Sequence, residues 1–186
     1  DKELVEKYSE GLIATTCCLG ASVPQAILRN GEDAGEKEFQ WWYNIFGEDF
    51  YVEFQRHGIP DQDKANASLM KFAEKYNCKM IASNDSHYVE NEDFNSHDLL
   101  LCINTGEKQT TPVLKDYDNP NVNKKDYRFG FFNDQFYMKT TAEMMNIFKD
   151  IPQAIDNTNE IVDKVELVSV TNDLLLPNYE IPPQFK

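Results

Sequence analysis

The sequence predicts an α/β fold built on a small parallel sheet, and two observations predict it. Three short apolar runs read as buried strands: GLIATT at Gly11 to Thr16, FYVEF at Phe50 to Phe54 and KMIAS at Lys79 to Ser83. Each is followed by residues with helical spacing, so the order is strand, helix, strand, helix, strand, helix. That alternation is the pattern of parallel strands joined by right-handed crossovers.

Each element has its own signature. After the first run, Val23 to Arg29 has room for a helical turn or two. Phe39, Trp42, Tyr43 and Phe46 then stand at i, i+3, i+4 and i+7, with Asp33 and Glu36 marking the start of the helix and Gly47 its end. Core packing, rather than base stacking, is the expected use of Trp42 and Tyr43. After the second run, Leu69, Phe72, Ala73 and Tyr76 repeat the spacing from Asp63 onward, and Asn77 is the stop. After the third, Asp93 caps a helix carrying Phe94, Leu100, Leu101 and Ile103, with Gly106 just beyond. Pattern alone fits part of an open sheet or half of a closed barrel, which takes about eight strands. Three strands leave two raw edges, so further chain before Asp1 is expected.

The chain divides near residue 110. Residues 1–109 hold the β/α units, and residues 110–186 read as loop, short helices and linker. Pro112 to Asn123 has little apolar content and reads as an exposed loop. Phe131 to Met138 looks extended and aromatic. Thr140 with Glu143 forms a capping box before Met144 and Phe148, and Pro152 opens a helix running to about Val165. Val168, Val170 and the Leu174 to Leu176 run lead into a tail bearing Pro177, Pro182 and Pro183, expected to connect onward.

Composition narrows the function. The 186 residues are 41% hydrophobic, enough for a real core, and 32 acidic against 18 basic side chains give a net charge of −14. Such a molecule repels phosphate backbones and anionic membranes, which argues against an autonomous nucleic-acid binder. It has no apolar stretch of transmembrane length and no basic, apolar leader at Asp1, so a soluble, cytoplasmic chain is expected. The four cysteines (Cys17, Cys18, Cys78, Cys102) include no CxxC pair and read as reduced thiols.

In parallel α/β folds, functional groups gather beyond the carboxyl ends of the strands. The first run leads into Cys17 and Cys18, the second into Glu53, Arg56 and His57, and the third into Asn84, Asp85, Ser86 and His87. Asp85 and His87, two residues apart in an extended exit, project to one face and are able to grip one ion. Carboxylate and imidazole suit zinc, manganese or iron, and a thiolate tilts the choice toward zinc. The same Asp and His equally suit turn and cap duties. Of the adjacent cysteines at most one faces a given site, since neighbours in a strand point opposite ways. His57, before Gly58, Ile59 and Pro60, reads as a hydrogen-bonding rim residue rather than a ligand. His97 reads as a helix-surface or core-edge histidine, and Glu53 as a group facing either a barrel interior or a polar helix contact. No Gly-rich phosphate loop and no GxSxG elbow occurs.

The segments GLIATTCCLGA, FYVEFQRHGIPDQ, MIASNDSHYVENED and HDLLLCINTGE together resemble the family of bacterial replicative DNA polymerase III alpha subunits. FYMKTTAEM, IPQAIDNTNEIVDKV and LLLPNYEIP extend the resemblance over nearly the whole chain, to the region between the N-terminal PHP (polymerase and histidinol phosphatase) domain and the polymerase proper. The resemblance implies the C-terminal half of a distorted (β/α)7 PHP barrel, about three β/α units, followed by a mostly helical connector toward the polymerase palm. It implies a rim binding up to three metal ions, zinc or manganese, with Cys18 matching the ligand cysteine and Asp85 and His87 the last ligand pair. Cys17 stands where the family usually has a small residue such as glycine. His57 and Glu53 match recurrent residues that are not ligands, and the earlier ligands are expected before Asp1.

The implied parent is a DNA-directed DNA polymerase whose own magnesium-binding aspartates are expected downstream of Lys186. For the PHP part, two activities stay open. One is metal-dependent phosphoesterase or 3′ to 5′ exonuclease chemistry. The other is a non-catalytic scaffold that stabilises the polymerase and docks a proofreading exonuclease subunit. DNA and nucleotides are expected to reach this chain only through the parent, its partner is the rest of the alpha subunit, and no membrane is involved. An isolated half-barrel is expected to self-associate through its strand edges.

Overall fold

The computed structural model describes residues 1–114, 123–169, 171 and 184. Helix α1 (Lys2–Lys7) leads to strand β1 (Ala14–Thr15), followed by helices α2 (Ser22–Asn30) and α3 (Glu32–Phe46), strand β2 (Phe50–Phe54), helix α4 (Pro60–Tyr76) and strand β3 (Met80–Ala82). Helices α5 (Phe94–Thr105), α6 (Thr141–Ile147) and α7 (Pro152–Lys164) complete the regular structure among the described residues. The result is a mixed α/β fold on a small parallel sheet.

The sheet order is β1-β2-β3, all parallel, with Ala14 opposite Phe50 and Val52 opposite Met80. Strand β2 is central because Phe50, Tyr51, Val52 and Phe54 are apolar in near succession and buried, as a strand covered on both faces requires. Helix stripes close over it: Val23 and Ile27 from α2, Phe39 from α3, and Leu69, Phe72 and Ala73 from α4 join the same core. Ala154 of α7 and Phe148 after α6 join it too, so the chain after residue 109 packs directly on the sheet. Asn157 Nδ2 donates to Met80 O at 2.8 Å, and Tyr51 Oη donates to Glu160 at 2.7 Å.

The elements follow the sequence signals with instructive departures. The first strand is shorter than the GLIATT run because Gly11 takes φ +76° and Leu12 turns out to solvent. Helix α4 starts at Pro60 instead of near Asp63, since proline fits the first helical turn, and it stops at Asn77 in the left-handed region. Asp93 sits at the start of α5, but its carboxylate turns back to accept the Glu90 N–H within the 3-10 turn Asn91–Asp93. Of the apolar residues expected to seat α5, Leu100 at 63% and Ile103 at 77% exposed face outward and Phe94 and Leu101 are half-buried, while Asp98 and Cys102 are buried. Phe131 to Met138 forms no strand; its ladder-type pairing is the isolated bridge between Tyr88 and Tyr137. Val113 bridges Arg128 and Leu114 is buried, so the start of the expected exposed loop is anchored. Residues 115–122 lie outside the described residues, as do Val170, Leu174 to Leu176 and the three tail prolines.

Candidate functional site at the carboxyl ends of the strands

Thr15 ends β1 and Thr16 follows it, Glu53 and Gln55 flank the last residue of β2, and Ser83 follows β3, so parallel pairing brings their polar groups together. Glu53 is the hub: it accepts Thr15 Oγ1 at 2.5 Å, Ser83 Oγ, and Gln55 Nε2 at 3.2 Å. Those three donors stitch all three strand ends to one carboxylate, which compensates its partial burial. Of the two roles open to Glu53 in the sequence, it takes the paired, inward-facing one: its partners are strand-end side chains, and among the described residues none comes from a helix.

Beyond this hub opens a cavity of about 180 Å³, walled by Cys18, Gln55, Gln62, Asp85, Phe131 and Phe136 among others. Asp85 and His87 meet as their i, i+2 spacing requires, with His87 Nε2 at 3.1 Å from Asp85 Oδ1 and both half open to solvent. Cys18 lies on the wall of the same cavity as Asp85. The oxygen Oε1 of Gln55 is buried at that wall with no hydrogen-bond partner among the described residues. The donor types therefore suit a cation, but no three His, Cys, Asp or Glu side chains among the described residues converge closely enough to hold one. Asp85 and His87 supply two donors where zinc takes four, so the set is incomplete here.

His57 is fully enclosed. It stacks on Phe136 with ring centroids 4.4 Å apart and planes 4° apart. Its Nδ1 lies 2.9 Å from Gln62 Nε2, and its Nε2 is 3.4 Å from the Asp85 backbone nitrogen. Gln62 Oε1 accepts the His57 backbone N–H at 2.8 Å, which aims Gln62 Nε2 at the ring, so Nδ1 accepts and the ring proton sits on Nε2. Burial pushes the His57 pKa down, opposed by the Gln62 hydrogen bond. His97 lies beside the pair, its ring 5.7 Å from that of His87, and its Nδ1 is buried without a partner among the described residues. Burial lowers its pKa as well, and His87 adds to that.

The cysteine pair departs from the alternation expected of a strand exit. Cys17 takes φ +59°, which ends the extended run, so both cysteines line one small cleft with Glu53. A left-handed backbone is where glycine is at ease, which explains the small residue expected at this position. Partial burial pushes the Cys17 thiol up, and the Cys18 sulfur and Glu53 carboxylate add to it.

The wall opposite the strands comes from the aromatic segment at 129–136, whose role the sequence did not reveal. Asn133 Nδ2 donates to His57 O at 2.6 Å, Asn84 Nδ2 to Tyr137 O at 2.6 Å, and His87 N–H to Phe136 O at 2.7 Å. Gln62 was likewise hidden, because a polar residue in the first turn of a helix carries no signal of its own. The density of aromatics in Phe131 to Met138 was the available cue.

Comparison with known proteins matches residues 1–57 to the PHP domain family. Over its whole length the chain is 39% identical to a DNA polymerase III subunit alpha of Borreliella burgdorferi, and it is 37% identical over 98% of its length to that of Thermus aquaticus. A DNA polymerase III subunit alpha of Treponema pallidum is 31% identical across the full chain. In each case the chain spans only about 15% of the relative's length.

Proposed function

We propose that the chain is a segment of the PHP-containing region of a DNA polymerase III alpha subunit and that it serves bacterial chromosome replication as part of such a subunit. The observation that carries this is identity of 31% to 39% along the entire chain to proteins of that name. Residues 1–109 are the C-terminal part of a PHP barrel, and residues 110–186 are the connector toward the polymerase core. Packing of α7 on β3 through Asn157 supports a connector seated on the barrel rather than hung from it. Nucleotide addition, with its magnesium, belongs to residues outside this chain. The subunit works in the cytoplasm; among the described residues no helix is long and apolar enough to cross a membrane.

Cys18, Asp85 and His87 form one side of a metal rim for zinc or manganese, completed by ligands from the rest of the subunit. The shared cavity of Cys18 and Asp85 and the 3.1 Å Asp85 to His87 contact support this reading. With the set completed, these residues would hold an ion that would supply water activation and charge compensation for phosphoester cleavage. His57, stacked on Phe136 and held by Gln62, packs beneath Asp85, and Glu53 locks the three strand ends at a fixed spacing.

Elemental analysis of the intact polypeptide that carries this chain tests both parts, together with nucleotide incorporation on a primed template. Incorporation is expected, with zinc or manganese reduced in Asp85→Ala and in His87→Ala and unchanged in a distant control, Cys78→Ala. Equal metal in all four proteins would remove the rim and leave the scaffold role, docking a separate proofreading exonuclease, as the function of this region. Absence of template-directed incorporation would overturn the polymerase assignment itself.

A further inference from the structure

The proposed rim uses only one member of the adjacent thiols Cys17 and Cys18. In an extended exit the two would face opposite ways. Instead the left-handed turn at Cys17, with its N–H held by Thr15 Oγ1 at 3.2 Å, leads both side chains into one cleft beside Glu53 and Gln55. Both are free; Cys17 is exposed and Cys18 half-buried, so reagents in solution reach the pair. Cys78, in contrast, is buried and donates to Phe50 O, and Cys102 is buried on α5. Access together with a neighbouring thiol is the condition for thiol–disulfide exchange to run to an internal bond.

We propose that Cys17 and Cys18 form a reversible vicinal dithiol–disulfide pair, a modification site whose oxidation withdraws Cys18 from metal binding. The oxidant is a small-molecule disulfide. One protein thiolate attacks it and expels the first small thiol; the neighbouring thiolate then attacks the mixed disulfide and expels the second. One S–S bond forms in the protein as one breaks in the reagent, two electrons pass to the reagent, and the two thiol protons end on the released thiols. Consecutive Cα atoms are about 3.8 Å apart, under the usual disulfide separation of about 4.4 to 6.8 Å. The ring is therefore strained and readily reduced, the property of regulatory rather than structural disulfides. Ring formation stands on the local geometry alone; its effect on metal rests on the proposed role of Cys18.

The intact polypeptide is treated with oxidised glutathione, quenched in acid and digested with trypsin. Cleavage after Lys7 and Arg29 releases residues 8–29, which contain Cys17 and Cys18 and neither Cys78 nor Cys102. The expected peptide is lighter by two hydrogens, resists alkylation and regains both thiols with dithiothreitol, whereas Cys17→Ser carries one glutathione on Cys18. Two glutathiones on the wild-type peptide, or two untouched thiols, would overturn the pair. Prior loading with zinc separates the two readings: slower ring closure ties the pair to the metal rim, and an unchanged rate keeps the pair while removing Cys18 from the ligands.

Discussion

Arg128 grips Asp98 with both guanidinium nitrogens, Nη1 to Oδ1 at 2.6 Å and Nη2 to Oδ2 at 2.9 Å, with side chains only 5% and 11% exposed. Gln109 Nε2 adds a third bond to the same carboxylate at 2.9 Å. The pair fastens the buried face of α5 to the segment whose next residues, Phe129 to Phe132, wall the cavity. Arg128→Met leaves that carboxylate enclosed without its cation and is expected to cost about 3–5 kcal/mol. Removing both partners, as Asp98→Leu with Arg128→Met, costs less than the sum of the single changes. Urea unfolding of the four proteins checks this, and a loss under about 1 kcal/mol for Arg128→Met would show the pair to be only superficial.

The same pair predicts a response to acid. Arg128, foremost, and Gln109 hold the Asp98 carboxyl below its ordinary value of 3.8. A depressed carboxyl contributes stability that is complete above the ordinary value and is lost as pH falls through the folded one. The stability difference between wild type and Arg128→Met is therefore expected to shrink below about pH 4. A difference that stays constant into that range would assign acid sensitivity to other carboxylates.

Gly35, in the first turn of α3, packs directly against Ile27 of α2. A Cβ built there would lie 2.2 Å from Ile27 Cγ1 and 3.3 Å from Ile27 Cα. Gly35→Ala must push the two helices apart or displace a buried core side chain, although alanine is the better helix former. The expected net loss is about 1–3 kcal/mol, the range of overpacked cores, and Ile27→Ala in the same chain should recover part of it. Thermal unfolding of the single and double variants decides; a stabilised Gly35→Ala would show that helix propensity outweighs the contact.

Cys17 carries the opposite signature, a side chain where the backbone favours none. Cys17→Gly removes the left-handed penalty at φ +59° and is expected to stabilise by about 0.5–1 kcal/mol after the extra freedom of glycine in the unfolded chain is counted. The variant also tests whether Cys18 alone suffices for metal, since only the second thiol is lost. Chemical denaturation under reducing conditions measures the first effect, and a destabilised variant would place a needed contact on the Cys17 thiol.

Most of the architecture was legible because it rests on periodicity. The FYVEF run gives β2 at its full length, the Phe39 to Phe46 stripe gives α3, and Thr140 with Glu143 caps α6 as read. Strand ends were harder, since a two-residue β1 is set by pairing with β2 and no propensity marks it. Helix α5 misled because Leu100 and Ile103 are displayed and an aspartate is buried, a choice made by Arg128 far along the chain. In the site, Asp85 and His87 were readable from spacing, whereas the turn at Cys17 and the bracing of His57 by Gln62 depend on backbone angles and tertiary packing. Composition alone does not encode those.

His57 offers the clearest proton-linked test. Its ring is buried between Phe136 and Gln62, and burial holds its pKa below the ordinary 6.5. The folded state then binds fewer protons than the unfolded one, so the contribution is complete above that ordinary value and is lost as pH falls from it toward the folded pKa. The slope is bounded at about 1.4 kcal/mol per pH unit for one proton. His57→Phe keeps the stack on Phe136 and removes the proton site, at the cost of the ring contact to Gln62. Its stability is expected to be lower near neutrality yet flatter between about pH 8 and pH 5, so the two unfolding curves approach each other on acidification. Parallel losses in wild type and variant would mean that the proton is taken up elsewhere, and His97, whose pKa burial also lowers, would be the next residue to replace.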